Sequence, residues 1–153
     1  MNELKEFLIE AKKQTYANGN AKKMPSTRDD SIDYEYSSGK MKYHDTYFGG
    51  LYFIGEEIVY QDNVAIWGMN YRGETLDLEL SEDAMDKALR PALMMVGSDD
   101  TIPVRGPKSF INGEFEYQFN VVGDLDSFIG EEVITKNGNK VYTLKCHGGK
   151  IIK

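Results

Sequence analysis

The sequence predicts an α+β domain built as an internal duplication, two helix-strand-strand-strand units sharing a predominantly antiparallel sheet with helices packed on it. Phe53-Ile54-Gly55-Glu56-Glu57 recurs unchanged, 75 residues later, as Phe128-Ile129-Gly130-Glu131-Glu132. Gly39-Lys40-Met41-Lys42-Tyr43 is matched at a spacing of 74 by Gly113-Glu114-Phe115-Glu116-Tyr117, and Gly73 by Gly149 at 76. Self-similarity at a nearly constant period marks repeated supersecondary units. Each strand-rich block also follows an amphipathic helix, and Asn137-Gly138 between two β-rich runs is a strong hairpin signal. At 153 residues the chain reads as one domain, 1–153, with halves of approximately 1–78 and 79–153.

The first helix is predicted over 3–17, where Leu4, Phe7, Leu8, Ala11 and Thr15 share one face and Lys and Glu take the other. Asn2 is its expected cap, and Asn18-Gly19 its left-handed stop. A polar connection, 20–33, precedes β-formers running from Tyr43 to Trp67, broken at Gly39, Gly49-Gly50, Gly55 and Asp62-Asn63. Ser81 is placed to cap a second helix, with Glu82 and Asp83 in its first turn and Ala84, Met85, Ala88 and Leu89 on its apolar face. Pro91 stops or kinks it. A loop over 97–107 leads into the second strand block.

Composition excludes more than it assigns. The chain carries 18 Lys plus Arg against 25 Asp plus Glu, net −7, so general binding to a phosphate backbone is disfavoured. Lys12, Lys13, Lys22, Lys23 and Arg28 cluster near the start, where a solvated helix flank accounts for them and an anionic partner is the alternative. Apolar runs such as Ala92-Leu93-Met94-Met95-Val96 fall far short of the roughly 20 residues of a membrane span. One cysteine, Cys146, and no secretory leader pattern point to the cytoplasm. One cysteine and two histidines without ligand spacing argue against a structural zinc site, and no cofactor motif is present. A homodimer is compatible with the sequence.

The pattern breaks at one point. In the second block Phe115, Tyr117, Phe119 and Val121 alternate inward with Glu114, Glu116, Gln118 and Asn120 outward. In the first, Met41, Tyr43 and Tyr47 face inward, but the position matching Phe119 is Asp45. A buried carboxylate must be paired or have its pKa raised. Asp45 therefore either pairs with Arg28 or Arg105, or satisfies backbone near Gly49-Gly50, or anchors a ligand in a tyrosine-walled pocket. Breaks in an otherwise consistent pattern are enriched for function.

Other candidates attach to the same reading. Period two sends one glutamate of each Glu-Glu pair inward, either to a site or as strand-start solvation. Trp67, Met69 and Tyr71 share one face, as a core stripe or an aromatic wall. Arg105-Gly106-Pro107 presents a guanidinium to an anion or ties the loop to a buried acid. His147-Gly148-Gly149 reads as a turn or a bare backbone approaching a ligand. His44 points away from Asp45, and Cys146 and His147 face opposite sides, which argues against a nucleophile pair.

Several of these stretches together are similar to a known family. Phe7-Leu8 with Ala11-Lys12 and Thr15-Tyr16-Ala17, Tyr43-His44-Asp45-Thr46-Tyr47 with Gly49-Gly50, and Phe53-x-Gly55-Glu56-Glu57 are one part; Trp67-x-Met69-Asn70-Tyr71, Arg105-Gly106-Pro107 and His147-Gly148-Gly149 are the rest. They resemble a bacterial domain-of-unknown-function family found stand-alone and after Xre-type helix-turn-helix domains. Asp29 departs from it, standing where the proline of an Arg-Pro pair is expected. The resemblance implies a regulatory or sensing role and transfers no catalytic residue. The duplicated plan is also similar to that of bacterial small-molecule sensors of the gyrase-inhibitory type, a likeness of fold alone.

The expectation is a cytoplasmic, non-enzymatic domain binding a small molecule in the cleft between its halves. Asp45 is its polar anchor, Tyr43, Tyr47, Trp67 and Tyr71 its walls, and Glu57 or Arg105 a second charge. One alternative is a small-substrate hydrolase or isomerase using Asp45 and a glutamate. That reading requires a carboxyl of strongly raised pKa beside a second polar group in one cavity. The other alternative is a protein-interaction module without an enclosed pocket.

Overall fold

The computed structural model describes residues 3–153. The expected cap Asn2 lies outside them. Helix α1 (Glu3–Gln14) buries Phe7, Leu8, Ala11 and also Lys12. It ends three residues earlier than the spacing predicts. Gly19 does not take a left-handed conformation, and the chain leaves through turns closed by Asn18 N to Thr15 O and Ala21 N to Asn18 O, both 3.0 Å.

Eight strands follow: β1 (Ile32–Ser38), β2 (Met41–Gly49), β3 (Tyr52–Gln61), β4 (Val64–Thr75), β5 (Ser109–Asn112), β6 (Phe115–Gly123), β7 (Ser127–Lys136) and β8 (Asn139–Lys150). They form one antiparallel sheet in the order β1-β2-β3-β4-β8-β7-β6-β5. Each block therefore holds four strands, not the three the sequence suggests. The missed members are edge strands. β1 is half acidic and serine, and β5 is four residues long, so neither carries an apolar run. His147-Gly148-Gly149, read as a turn or ligand-approaching backbone, lies within central β8. A side chain at Gly148 would meet Gly68 O at 2.3 Å.

Turn chemistry matches the expected hairpins. Asp62-Asn63 joins β3 to β4 and Asn137-Gly138 joins β7 to β8, with positive φ at both residues of each pair. Such two-residue turns match the right-handed twist of the flanking strands.

Between the meanders lie a 3₁₀ turn (Leu78–Leu80), α2 (Ser81–Ala84), a π-helical turn (Met85–Leu89) and α3 (Arg90–Met94). Ser81 is not the cap; its hydroxyl donates to Leu78 O, whereas Asp77 caps the 3₁₀ turn by accepting from Glu79 N at 3.1 Å. Pro91 does not stop the helix but sits at its re-entry into α form after the π turn, where Arg90 N bonds Met85 O. Proline cannot donate to the carbonyl four residues back. That carbonyl, Lys87 O, accepts Asn112 Nδ2 from β5 at 3.0 Å instead.

Helices cover one face of the sheet. That face carries Tyr43, Val59, Trp67, Met69, Tyr117, Phe119, Ile134, Tyr142 and Leu144, all essentially inaccessible, packed against Leu8, Ala11, Ala88, Leu89 and Ala92. The other face is open, with Ile54, Val122 and Ile129 more than half exposed. Among the described residues no helix is long and apolar enough to cross a membrane.

Candidate functional site

Two carboxylates on the covered face occupy matching register positions. Asp45 of β2 faces Glu57 of β3, and Phe119 of β6 faces Glu132 of β7. The inward member of each Glu-Glu pair is thus the second one: Glu57 and Glu132 are buried.

Around Glu132 the charge is fully matched. Arg105 grips it with two hydrogen bonds, Nε to Oε2 at 2.9 Å and a terminal nitrogen to Oε1 at 2.7 Å. Tyr117 donates to Oε2 at 2.6 Å and Tyr142 to Oε1 at 2.8 Å. Tyr117 Oη in turn accepts from Gly106 N at 3.0 Å, which fixes the loop bearing Arg105. The ring of Phe119 fills the space above Gly130. Among the described residues, both Glu132 oxygens are thus satisfied within the cluster.

The other half has one cation for two acids. Lys12 of α1 forms a buried ion pair with Glu57, and its ammonium lies 5.7 Å from the centre of the Tyr43 ring. Lys12 therefore leaves the solvated basic cluster in which its sequence neighbours place it. Asp45, 4% exposed, accepts a hydrogen bond from Tyr71 Oη at 2.6 Å through Oδ1, and no described residue donates to Oδ2. Neither predicted arginine reaches it. Arg28 lies over Phe48 and contacts Thr46 and Glu56 on the open side, and Arg105 is committed to Glu132. Burial, then the charge of Glu57, pushes the Asp45 carboxyl up to about 7, against the Tyr71 hydrogen bond and the Lys12 charge. Burial and the Asp45 and Glu57 charges push the Tyr71 hydroxyl well up, so it remains a donor.

Above these acids is a cavity of about 250 Å³. Its floor holds Asp45, Glu57, Tyr43 and Tyr71 from the first meander; Tyr47, Phe53 and Tyr16 wall it, and Leu89, Arg90, Leu93 and Val104 close it from the second half of the chain. Arg90 stacks 4.9 Å over Tyr16 and contacts Asp86 at 3.5 Å. Of the side chains read from the sequence, Asp45, Tyr43, Tyr47, Tyr71, Glu57 and Arg105 line this cavity. Trp67 does not: it is fully buried elsewhere, stacked on Phe128 with its indole N–H donating to Leu125 O at 3.0 Å. A ring with a buried polar hydrogen needs such a partner.

Lys12, Tyr16, Phe53 and Arg90 also line the cavity and were not read as site residues from the sequence. Lys12 had a signal: it falls one helical turn after Leu8, on the apolar face. Arg90 had none, because the loop and helix that bring it over the sheet are set by packing. The histidines lie away from the cavity. His44 Nε2 is 2.7 Å from Asp33 Oδ1 across the open face, and His147 is exposed there. Cys146 faces inward, opposite to His147, and burial pushes its thiol up to about 12. Among the described residues no three His, Cys, Asp or Glu side chains are grouped to hold a metal ion.

Fold and site together define an α+β domain with a one-sided eight-stranded antiparallel sheet and an acid-floored, aromatic-walled cavity beneath its helices. The chain belongs to the DUF5680 family, a domain of unknown function, whose model matches residues 45–151. No curated protein and no solved structure matches the chain.

Proposed function

We propose that this chain is a small-molecule-binding, sensor-like domain whose site is the cavity between its two halves. The observation that carries this reading is the contrast between the Glu132 cluster, matched and filled, and the Asp45 position, hollow and short of one cation. Leaving a carboxylate unpaired in a dry interior costs stability, and proteins retain such costs where a site requires them. Pockets lined mainly by apolar and aromatic groups with a few convergent polar ones are the usual form of small-molecule sites.

The two meanders are read here as copies of one ancestral unit. The matching Gly-Glu-Glu registers, the paired hairpins and the helix before each meander support that reading. The regulatory role and an association with helix-turn-helix partners belong to the same proposal and rest on the motif resemblance; the cytoplasmic setting rests on the lone Cys146. A homodimer is compatible with it.

A second reading has an observation of its own. A carboxyl near 7 beside Glu57 in one cavity is what an acid-base hydrolase or isomerase would need. The third reading is a protein-interaction module without an enclosed pocket; the cavity under the helices favours the first two.

A thermal-shift screen of cationic, neutral and anionic metabolites tests the proposal. Stabilisation by particular compounds, lost or reduced in Asp45→Asn, supports a binding site. Mass spectrometry of each hit after incubation separates the readings: unchanged compound fits a sensor, whereas conversion abolished by Asp45→Asn and Glu57→Gln fits an enzyme. No stabilisation by any compound, with a melting temperature that rises with protein concentration, sinks the cavity reading in favour of a partner surface.

A further inference from the structure

We propose that the cavity takes a small organic amine, whose ammonium group docks on Asp45 among the Tyr16, Tyr47 and Tyr71 rings and expels a proton to solvent as it binds. This inference rests on the cavity being a ligand site, as proposed above, and adds the chemical class of the ligand.

Of the three cations lining the cavity, Lys12 is held by Glu57 and Arg105 by Glu132, whereas Arg90 meets Asp86 only on the exposed side at 3.5 Å and its Nε is buried without a partner among the described residues. Glu57 and Glu132 are thereby matched, and Asp45 is the buried acid left over. The group that donates to it is the neutral hydroxyl of Tyr71. An arriving cation supplies the missing countercharge at Asp45, whereas an anion docked there would add a second negative charge beside it.

The walls select the same class. Tyr16 meets Tyr47 edge to face with ring centres 6.0 Å apart and Phe53 meets Tyr71 at 6.1 Å, and the protein's own Arg90 and Arg105 lie over the Tyr16 and Tyr71 rings at 4.9 and 5.9 Å, so the aromatic lining is one that already accommodates cations. Aromatic faces attract cations, and more strongly when water is excluded. The volume of about 250 Å³ corresponds to roughly eight waters at about 30 Å³ each, which sets the ligand at the size of a substituted cyclic or aralkyl amine.

Proton release follows from the same geometry. With no cation present the buried Asp45 holds its proton up to about pH 7. When the ammonium docks, the Asp45 O–H bond breaks, the carboxylate keeps the electron pair and the proton goes to buffer. The charged groups facing Asp45 are Glu57 from β3, Lys12 from α1, Arg90 from α3 and Arg105 from the loop. The remaining neighbours are tyrosines: Tyr34 from β1, Tyr43 and Tyr47 on its own strand, Tyr16 from α1 and Tyr71 from β4. All five hydroxyls are pushed above their ordinary range, chiefly by burial, so they remain neutral through pH 8. No histidine is among these neighbours, since His44 is turned to Asp33.

The test is isothermal titration of the full chain with phenethylamine and cyclohexylmethylamine, each against its alcohol counterpart and against phenylacetate. The amines are expected to bind at least tenfold more tightly than the alcohols at pH 8. Their affinity should fall about tenfold from pH 8 to pH 6, with about one proton released at pH 6, read from buffers of different ionisation enthalpy. Alcohol binding should not change with pH. Asp45→Asn should weaken the amines at least tenfold and leave the alcohols unchanged, and the wild-type pH profile tests the same point should that variant not fold. If alcohols or phenylacetate bind as tightly as the amines, or if the amines bind without proton release at pH 6, the amine inference is overturned and the cavity remains a ligand site. If neither amines, alcohols nor phenylacetate bind, and the wider screen is also blank, both fall.

Discussion

Asp45 and Glu57 are direct cross-strand partners on the covered face of the sheet, both buried, and Lys12 neutralises only Glu57. The matching pair in the second meander, Phe119 and Glu132, has a ring in place of the second acid and an arginine in place of the lysine. This difference at a shared register position separates a packed half from a hollow one.

The raised Asp45 carboxyl makes stability depend on pH. Its folded-state value, about 7, lies above the roughly 3.9 of an unfolded chain. Between those values the folded form holds a proton that the unfolded form has released, so stability falls as pH rises through this window and levels off above it. The expected loss is on the order of a few kcal/mol. Urea unfolding of the wild type between pH 4.5 and 8 should show the decline, and Asp45→Asn should flatten it; parallel profiles would refute the assignment.

Asp33 acts in the opposite sense and at lower pH. It is fully buried, and although burial raises its pKa, hydrogen bonds from Ser31, Thr27 and His44 outweigh that and hold its carboxyl below the usual range. Its contribution is present above about pH 4 and is lost as pH falls below that, when the folded-state carboxylate must be protonated. Asp33→Ala should cost about 1–3 kcal/mol by stranding these donors and make residues 26–31 a preferred site of proteolysis.

Arg105 ties a loop to the sheet through a buried bidentate pair. Arg105→Ala leaves Glu132 buried without its countercharge, and should cost about 3–5 kcal/mol in equilibrium unfolding. Arg105→Lys should recover only part of this, because a single ammonium cannot reproduce the planar two-point grip. A loss below about 1 kcal/mol would show that the tyrosines alone satisfy Glu132.

A reciprocal exchange tests the correspondence between the meanders. Tyr71 lies over Gly55, and Phe119 lies over Gly130 beside Cys146. Tyr71 and Cys146 occupy matching places, each opposite its glycine. Asp45→Phe alone should crowd Tyr71 and cost about 1–3 kcal/mol. Tyr71→Cys alone strands Asp45 and should cost about 3 kcal/mol. Combined, they rebuild the Phe-Cys arrangement of the second meander, and the coupling energy should be favourable by at least about 1 kcal/mol. Simple additivity would count against equivalent sites.

Local pattern was enough to read the central strands, the hairpin turns and the inward acid, since these depend on period two and on turn chemistry. The alternation through Tyr43, Asp45 and Tyr47 placed a carboxylate on the covered side before any contact was known. It could not supply β1 and β5, whose short or polar stretches become strands only by pairing with a neighbour. Nor could it assign partners. Which acid receives Arg105, Lys12 or Tyr71 depends on how a loop and two helices settle over the sheet, and those contacts join residues far apart in the chain. Asp45 and its facing direction were thus local properties, whereas the hollow above it and the missing countercharge were decided by long-range packing.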